Sequence, residues 1–122
     1  RNIIIKNDVI IINDIELETM IAQTPNQRAV GLSAHDFLNE NEAMLFIFDQ
    51  LGRYSFWMKD MNFSIDIFWL DEDKEIVFIQ ENAQPDDYPK SYQPNRNAKY
   101  VIEVVDGFAR DNNVEVGDRF DW

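Results

Sequence analysis

Polar and apolar residues alternate with a period of two near the start of the chain. Ile15, Leu17, Thr19 and Ile21 stand against Glu16, Glu18 and Met20, after an apolar run Val9–Ile12 and the turn pair Asn13-Asp14. A hairpin with one wet face is predicted over Val9 to Ala22. The pattern breaks at Thr24-Pro25-Asn26-Gln27. Thr24 suits the cap of a helix, Pro25 its first position, and Gln27 the place from which a side chain reaches back to the cap. A short helix follows, ending near Gly31, the residue best able to take the left-handed turn after a last helical turn. Ser33 to Glu42 reads as a polar loop held to the core by Phe37 and Leu38.

Three stretches rich in aromatic and β-branched residues come next: Ala43 to Phe48, Tyr54 to Met58 and Ile65 to Leu70. They are expected to form the heart of a sheet. Asp71-Glu72-Asp73-Lys74 turns the chain into a strand over Glu75 to Gln80, and Tyr100 to Val105 reads as another, buried strand. Between them, Glu81 to Ala98 holds Pro85, Pro89 and Pro94 and shows no regular period. Loops of that length in compact domains are more often functional than idle. A helical turn is expected within Asp106 to Asn113, and a closing strand over Arg119 to Trp122 after the Gly117-Asp118 turn. The fold class is α+β, mainly β: a curved, mostly antiparallel sheet or partial barrel of about six to eight strands with one short helix.

At 122 residues the chain is one domain, residues 1–122. Its hydrophobic content of 45%, with 9 Phe, 4 Tyr and 3 Trp, is enough to build a core and excludes disorder. The formal net charge of −12 disfavours nucleic acid and anionic membranes as partners. The absence of cysteine removes disulfides, thiolate metal sites and cysteine nucleophiles. No run is long enough for a membrane helix. The sequence starts at Arg1, so an anchor or signal, if there is one, is expected upstream.

Six segments carry a resemblance: Gln27-Arg28-Ala29-Val30-Gly31-Leu32, Ala43-Met44-Leu45-Phe46, Phe56-Trp57-Met58-Lys59-Asp60-Met61, Ile65-Asp66-Ile67-Phe68, Tyr100-Val101-Ile102-Glu103 and Gly117-Asp118. In order and spacing the chain resembles the domain of unknown function 192 family, also called uncharacterised protein family 0127, from about Ile15 to Phe120. It departs from the family where Ser33 and His35 replace Met and a basic residue, Ala43 replaces Gly, and Asp60-Met61 replaces Asn-Thr. The resemblance implies a compact, mainly β domain, often found behind a signal peptide or membrane anchor, with no agreed activity. An extracytoplasmic location is expected on that ground alone.

Two carboxylates occupy strand positions where aliphatic residues belong. Asp66 lies among Ile65, Ile67, Phe68, Trp69 and Leu70, and Glu103 among Tyr100, Val101, Ile102, Val104 and Val105. A buried unpaired carboxylate loses several kcal/mol of hydration, so each needs a cation, a set of donors, or a proton. Arg28 and Lys59 are the expected partners, Arg28 through a two-bond fork. The bland reading is a structural ion pair fixing the helix to the sheet. The sharp one is a polar pocket.

As an enzyme the chain would be a small hydrolase using Asp66 and Glu103 as acid and base. A triad of Ser33, His35 and Asp36 is disfavoured by crowding in one polar loop. Asp71-x-Asp73-x-Glu75 imitates a calcium loop, but Ile76 and Asn82 stand at its sixth and twelfth positions, so it reads as a turn. Met44, Met58 and Met61 read as core filling rather than copper ligands. No metal and no cofactor are expected. The favoured function is a binding or accessory module, with Arg28, Trp57, Lys59, Asp66, Tyr88, Tyr92 and Glu103 contacting a glycan, a peptide or another polar ligand. The third reading is a structural domain that meets a protein partner through its aromatic rim. A monomer is expected.

Overall fold

The structure is a computed structural model describing residues 8–122. Its main sheet has six strands in the order β1-β2-β3-β8-β5-β6. These are β1 (Val9–Ile12), β2 (Ile15–Ala22), β3 (Glu42–Gly52), β5 (Ile65–Leu70), β6 (Ile76–Ala83) and β8 (Ala98–Val105). All neighbours pair antiparallel except β2 and β3, which run parallel. The parallel pair requires a crossover. That crossover carries α1 (Pro25–Val30), whose Thr24 side chain accepts from the Gln27 amide at 3.1 Å, while Gln27 Oε1 accepts from the Thr24 amide at 3.1 Å. The capping box and the proline at the helix start act as their spacing implied.

Both faces of the sheet are covered. On one, Ile10, Ile12, Leu17, Leu45, Phe68, Ile102, Phe108 and Phe120 form a core; on the other, Phe46, Met58, Ile65, Ile67, Trp69 and Val101 form a second. Every residue of β5 is buried, as expected for a strand covered on both sides. The sheet curls until the C-terminal segment touches both of its edges. Asp121 exchanges backbone hydrogen bonds with Ile11 of β1, while the Asp118 carbonyl accepts from Ile76 and the Phe120 amide donates to Lys74. The expected closing strand is thus a line of isolated bridges.

Three expectations are corrected. Tyr54 to Met58 is not central: only β4 (Phe56–Trp57) is extended, and it pairs with β7 (Ser91–Tyr92) in a separate two-stranded ribbon. The Glu81 to Ala98 stretch contains the end of β6, a 3-10 turn at Pro85–Asp87 and β7, so it is folded rather than structureless. Phe37 is 67% exposed and does not tack the loop down, leaving the half-buried Leu38 to do so. A second short helix, α2 (Phe108–Asp111), occupies the expected helical turn. Asp71 Oδ1 accepts from the amides of Asp73 and Glu75, making the calcium-like segment a tight turn.

Candidate functional site

The register of β5 on β8 decides the fate of the two carboxylates. Asp66 lies opposite Val104 and Ile67 opposite Glu103, and directly opposed residues share a face. Asp66 therefore points to the core of Phe68 and Phe108, and Glu103 to that of Phe46 and Ile67. The two acids lie on opposite sides of the sheet and cannot act on one bond. This removes the geometric basis of the hydrolase pair.

Asp66 is fully buried and its needs are met by backbone. Oδ1 accepts from the Asn82 amide at 2.9 Å and Oδ2 from the Ala109 amide at 3.0 Å. The first donor sits at a bulge, where β6 spends one residue more than β5 between Ile65/Ala83 and Ile67/Gln80 and Asn82 takes φ 53°. The second is a free amide in the first turn of α2, where a carboxylate is favoured. Neither Arg28 nor Lys59 is its partner, contrary to expectation: two orphan amides supply what a cation was expected to supply.

Glu103 differs. It is 5% exposed, and no ion pair among the described residues reaches it. Burial alone pushes its carboxyl up to about 8. What exposure it has is toward a half-open cavity of about 300 Å³, whose lining includes Arg28, Phe46, Phe48, Phe56, Trp57 and Lys59. Gly31 takes φ 50° where the chain leaves α1, and a Cβ there would come within 3.3 Å of the Phe46 ring, so glycine keeps this wall clear.

The aromatic walls brace one another. Phe46 meets Phe56 edge to face at 4.9 Å, and Phe48 stacks on Tyr54 at 3.6 Å. Arg28, half-buried, lies over the Phe48 ring at 4.8 Å and donates through Nη1 to the carbonyls of Gln23 and Ile47, the latter at 3.0 Å. That anchors it where the β3–β8 ladder becomes irregular after Ile47. Lys59 is exposed and its Nζ stands 5.7 Å from the Trp57 ring.

The cavity thus unites four of the seven expected ligand contacts: Arg28, Trp57, Lys59 and Glu103. Asp66 is outside it. Tyr88 stands beside the mouth, 44% exposed, with its ring 5.2 Å from that of Trp57. Tyr92 is buried, and its hydroxyl donates to the Asp87 carboxylate, which holds that carboxylate below its usual range while burial pushes the phenol up to about 12. It is a strut of the ribbon rather than a presented ring. The Ser33 hydroxyl donates to the Val30 carbonyl at 2.6 Å, a local contact that does not join it to His35. Sequence reasoning missed Phe46, Phe48 and Phe56 as walls, because core and cavity aromatics follow the same strand pattern.

The family model of the domain of unknown function 192, described as uncharacterised ACR, matches residues 8–122. A UPF0127 protein of Pyrococcus abyssi is 32% identical over 108 residues, covering 84% of this chain and 83% of the relative. One of Pyrococcus furiosus is 26% identical over 114 residues, covering 89% and 90%. Among solved structures, a Sinorhizobium meliloti protein provisionally described as a transcription regulator superposes with TM-score 0.83 at 28% identity, over 87% of this chain and 81% of that one. A Novosphingobium aromaticivorans protein of unknown function gives TM-score 0.83 at 25% identity, over 88% and 76%. With nearly its whole length matched, this chain belongs to the domain of unknown function 192 family, the UPF0127 proteins.

Proposed function

We propose that the chain is a small-molecule binding module whose site is the cavity floored by Glu103. The supporting observation is Glu103 itself, a buried carboxyl with no ion pair among the described residues, facing a space walled by aromatic rings. A core with no ligand to meet would gain by replacing such a group with an aliphatic one, since burying a polar group gives up hydration that an aliphatic side chain does not need. A volume of about 300 Å³ is at the small end of ligand pockets. That size suits a compact molecule, or one terminal residue of a peptide, rather than a long glycan. Nucleic-acid binding, suggested by the description of the Sinorhizobium meliloti neighbour, is not carried over, because the net charge here is −12. The family resemblance supports placing the module outside the cytoplasm, which fractionation of the full-length protein in its own host tests.

The binding reading is tested by a fragment screen followed by melting temperature and by backbone amide NMR shifts. Native-state ligands raise the melting temperature by mass action. At least one compound is expected to do so while shifting Gly31, Leu32, Ser55, Trp57 and Lys59 together. A screen in which no compound moves these resonances overturns the proposal. The exposed Trp57–Tyr88 pair at the mouth supports a second reading, docking of a protein partner, in which only a macromolecule would move them.

A further inference from the structure

The charges around the cavity indicate what kind of molecule enters it. Acids outnumber bases by 23 to 11 in this chain. Yet both cations lining the cavity, Arg28 and Lys59, lack an acidic partner among the described residues, whose ion pairs are Arg110–Asp111 and Arg119–Glu75. Arg28 uses Nη1 for the Gln23 and Ile47 carbonyls, and its Nε and Nη2 have no acceptor among the described residues. Those two nitrogens form the side of a guanidinium that receives a carboxylate through two parallel bonds. Glu103 is the one acidic residue of the lining, and it too has no ion pair among the described residues. The cavity lining therefore carries two cations, one carboxyl and several aromatic rings.

We propose that this pocket selects a small organic carboxylate with a flat apolar body, its carboxylate held by Arg28 and Lys59 and a hydroxyl or amide at its far end meeting Glu103. The inference rests on the binding reading above and names its ligand class. Phe46, Phe56 and Trp57 take the apolar body. Glu103, largely protonated near neutral pH, both donates and accepts without repelling the anion. Two sources share this chemistry, a free aryl or alkyl acid and the C-terminal residue of a peptide.

The test titrates the intact protein, by calorimetry and NMR, with one skeleton in three charge states: 3-phenylpropionate, 3-phenylpropanamide and 3-phenylpropylamine. The carboxylate is expected to bind at least tenfold tighter than the amide, with the amine weaker still. That preference should shrink as salt is raised. Lys59 is exposed, so Lys59→Met is expected to keep the melting temperature and cut carboxylate affinity about tenfold, leaving the amide unchanged. A peptide ending in phenylalanine and its C-terminally amidated form separate the two sources. Tighter binding of the amine, or equal binding of all three compounds, overturns the carboxylate assignment while the pocket stands as a binding site. Silence from every compound overturns both.

Discussion

At the scale of single residues, Asp66 and Glu103 show how one sequence anomaly, a carboxylate in an apolar strand, has two physical resolutions. Asp66 collects two backbone amides. Glu103 has no ion pair among the described residues, and burial pushes its carboxyl up to about 8. Because its folded value, about 8, lies above its ordinary 4.5, the protonated acid favours the fold. That contribution is complete below about pH 4.5 and is lost as pH rises through about 8. Glu103→Gln should remove this dependence. The wild-type protein is expected to lose stability relative to the variant between those pH values, with a slope approaching ~1.4 kcal/mol per pH unit. Chemical denaturation of both proteins from pH 5 to 9 measures it, and superposable profiles would show that Glu103 is solvated.

At the scale of elements, Asp66 is a tie rather than a site. One carboxylate holds the bulge of β6 and the start of α2, elements 27 residues apart in sequence between Asn82 and Ala109. Asp66→Ala strips both amides of their acceptor and should cost ~3–5 kcal/mol, the sum of two hydrogen bonds to a charged group. A loss below ~1 kcal/mol in urea denaturation would mean that water replaces the carboxylate. Arg28 belongs to this scale as well. It was expected to neutralise a buried acid; it instead fastens α1 to β3 through the Gln23 and Ile47 carbonyls. Arg28→Ala should therefore cost only ~1–2 kcal/mol, for two hydrogen bonds at a half-buried position. Denaturation of that variant distinguishes this from the ~3–5 kcal/mol of a broken buried ion pair.

At the scale of the whole molecule, the curled sheet depends on a C-terminal segment that bonds to both edges and buries Phe120, whose ring packs against Phe68 at 5.7 Å. Phe120→Ala should cost ~3–5 kcal/mol. It should also speed hydrogen exchange at Ile11 and Ile76, whose amides donate to the Asp121 and Asp118 carbonyls. Unchanged exchange at both would show that the edges hold without the tail. Local signals alone made several parts legible. The hairpin from Val9 follows from alternation and a turn pair, α1 from Thr24, Pro25 and Gln27, and the two misplaced carboxylates from the apolar strands around them. The ribbon of Phe56–Trp57 with Ser91–Tyr92 was not legible, because pairing between residues so far apart leaves no mark on either segment. Nor was the face of each acid. In a strand buried on both sides, alternation carries no inside or outside, so β5 and β8 could be recognised as buried but not oriented. The sequence by itself determined the β-rich class, the capped helix and the existence of two buried acids. Only the tertiary structure, through the β5–β8 register and the sheet order, decided that Asp66 meets amides and Glu103 faces a cavity.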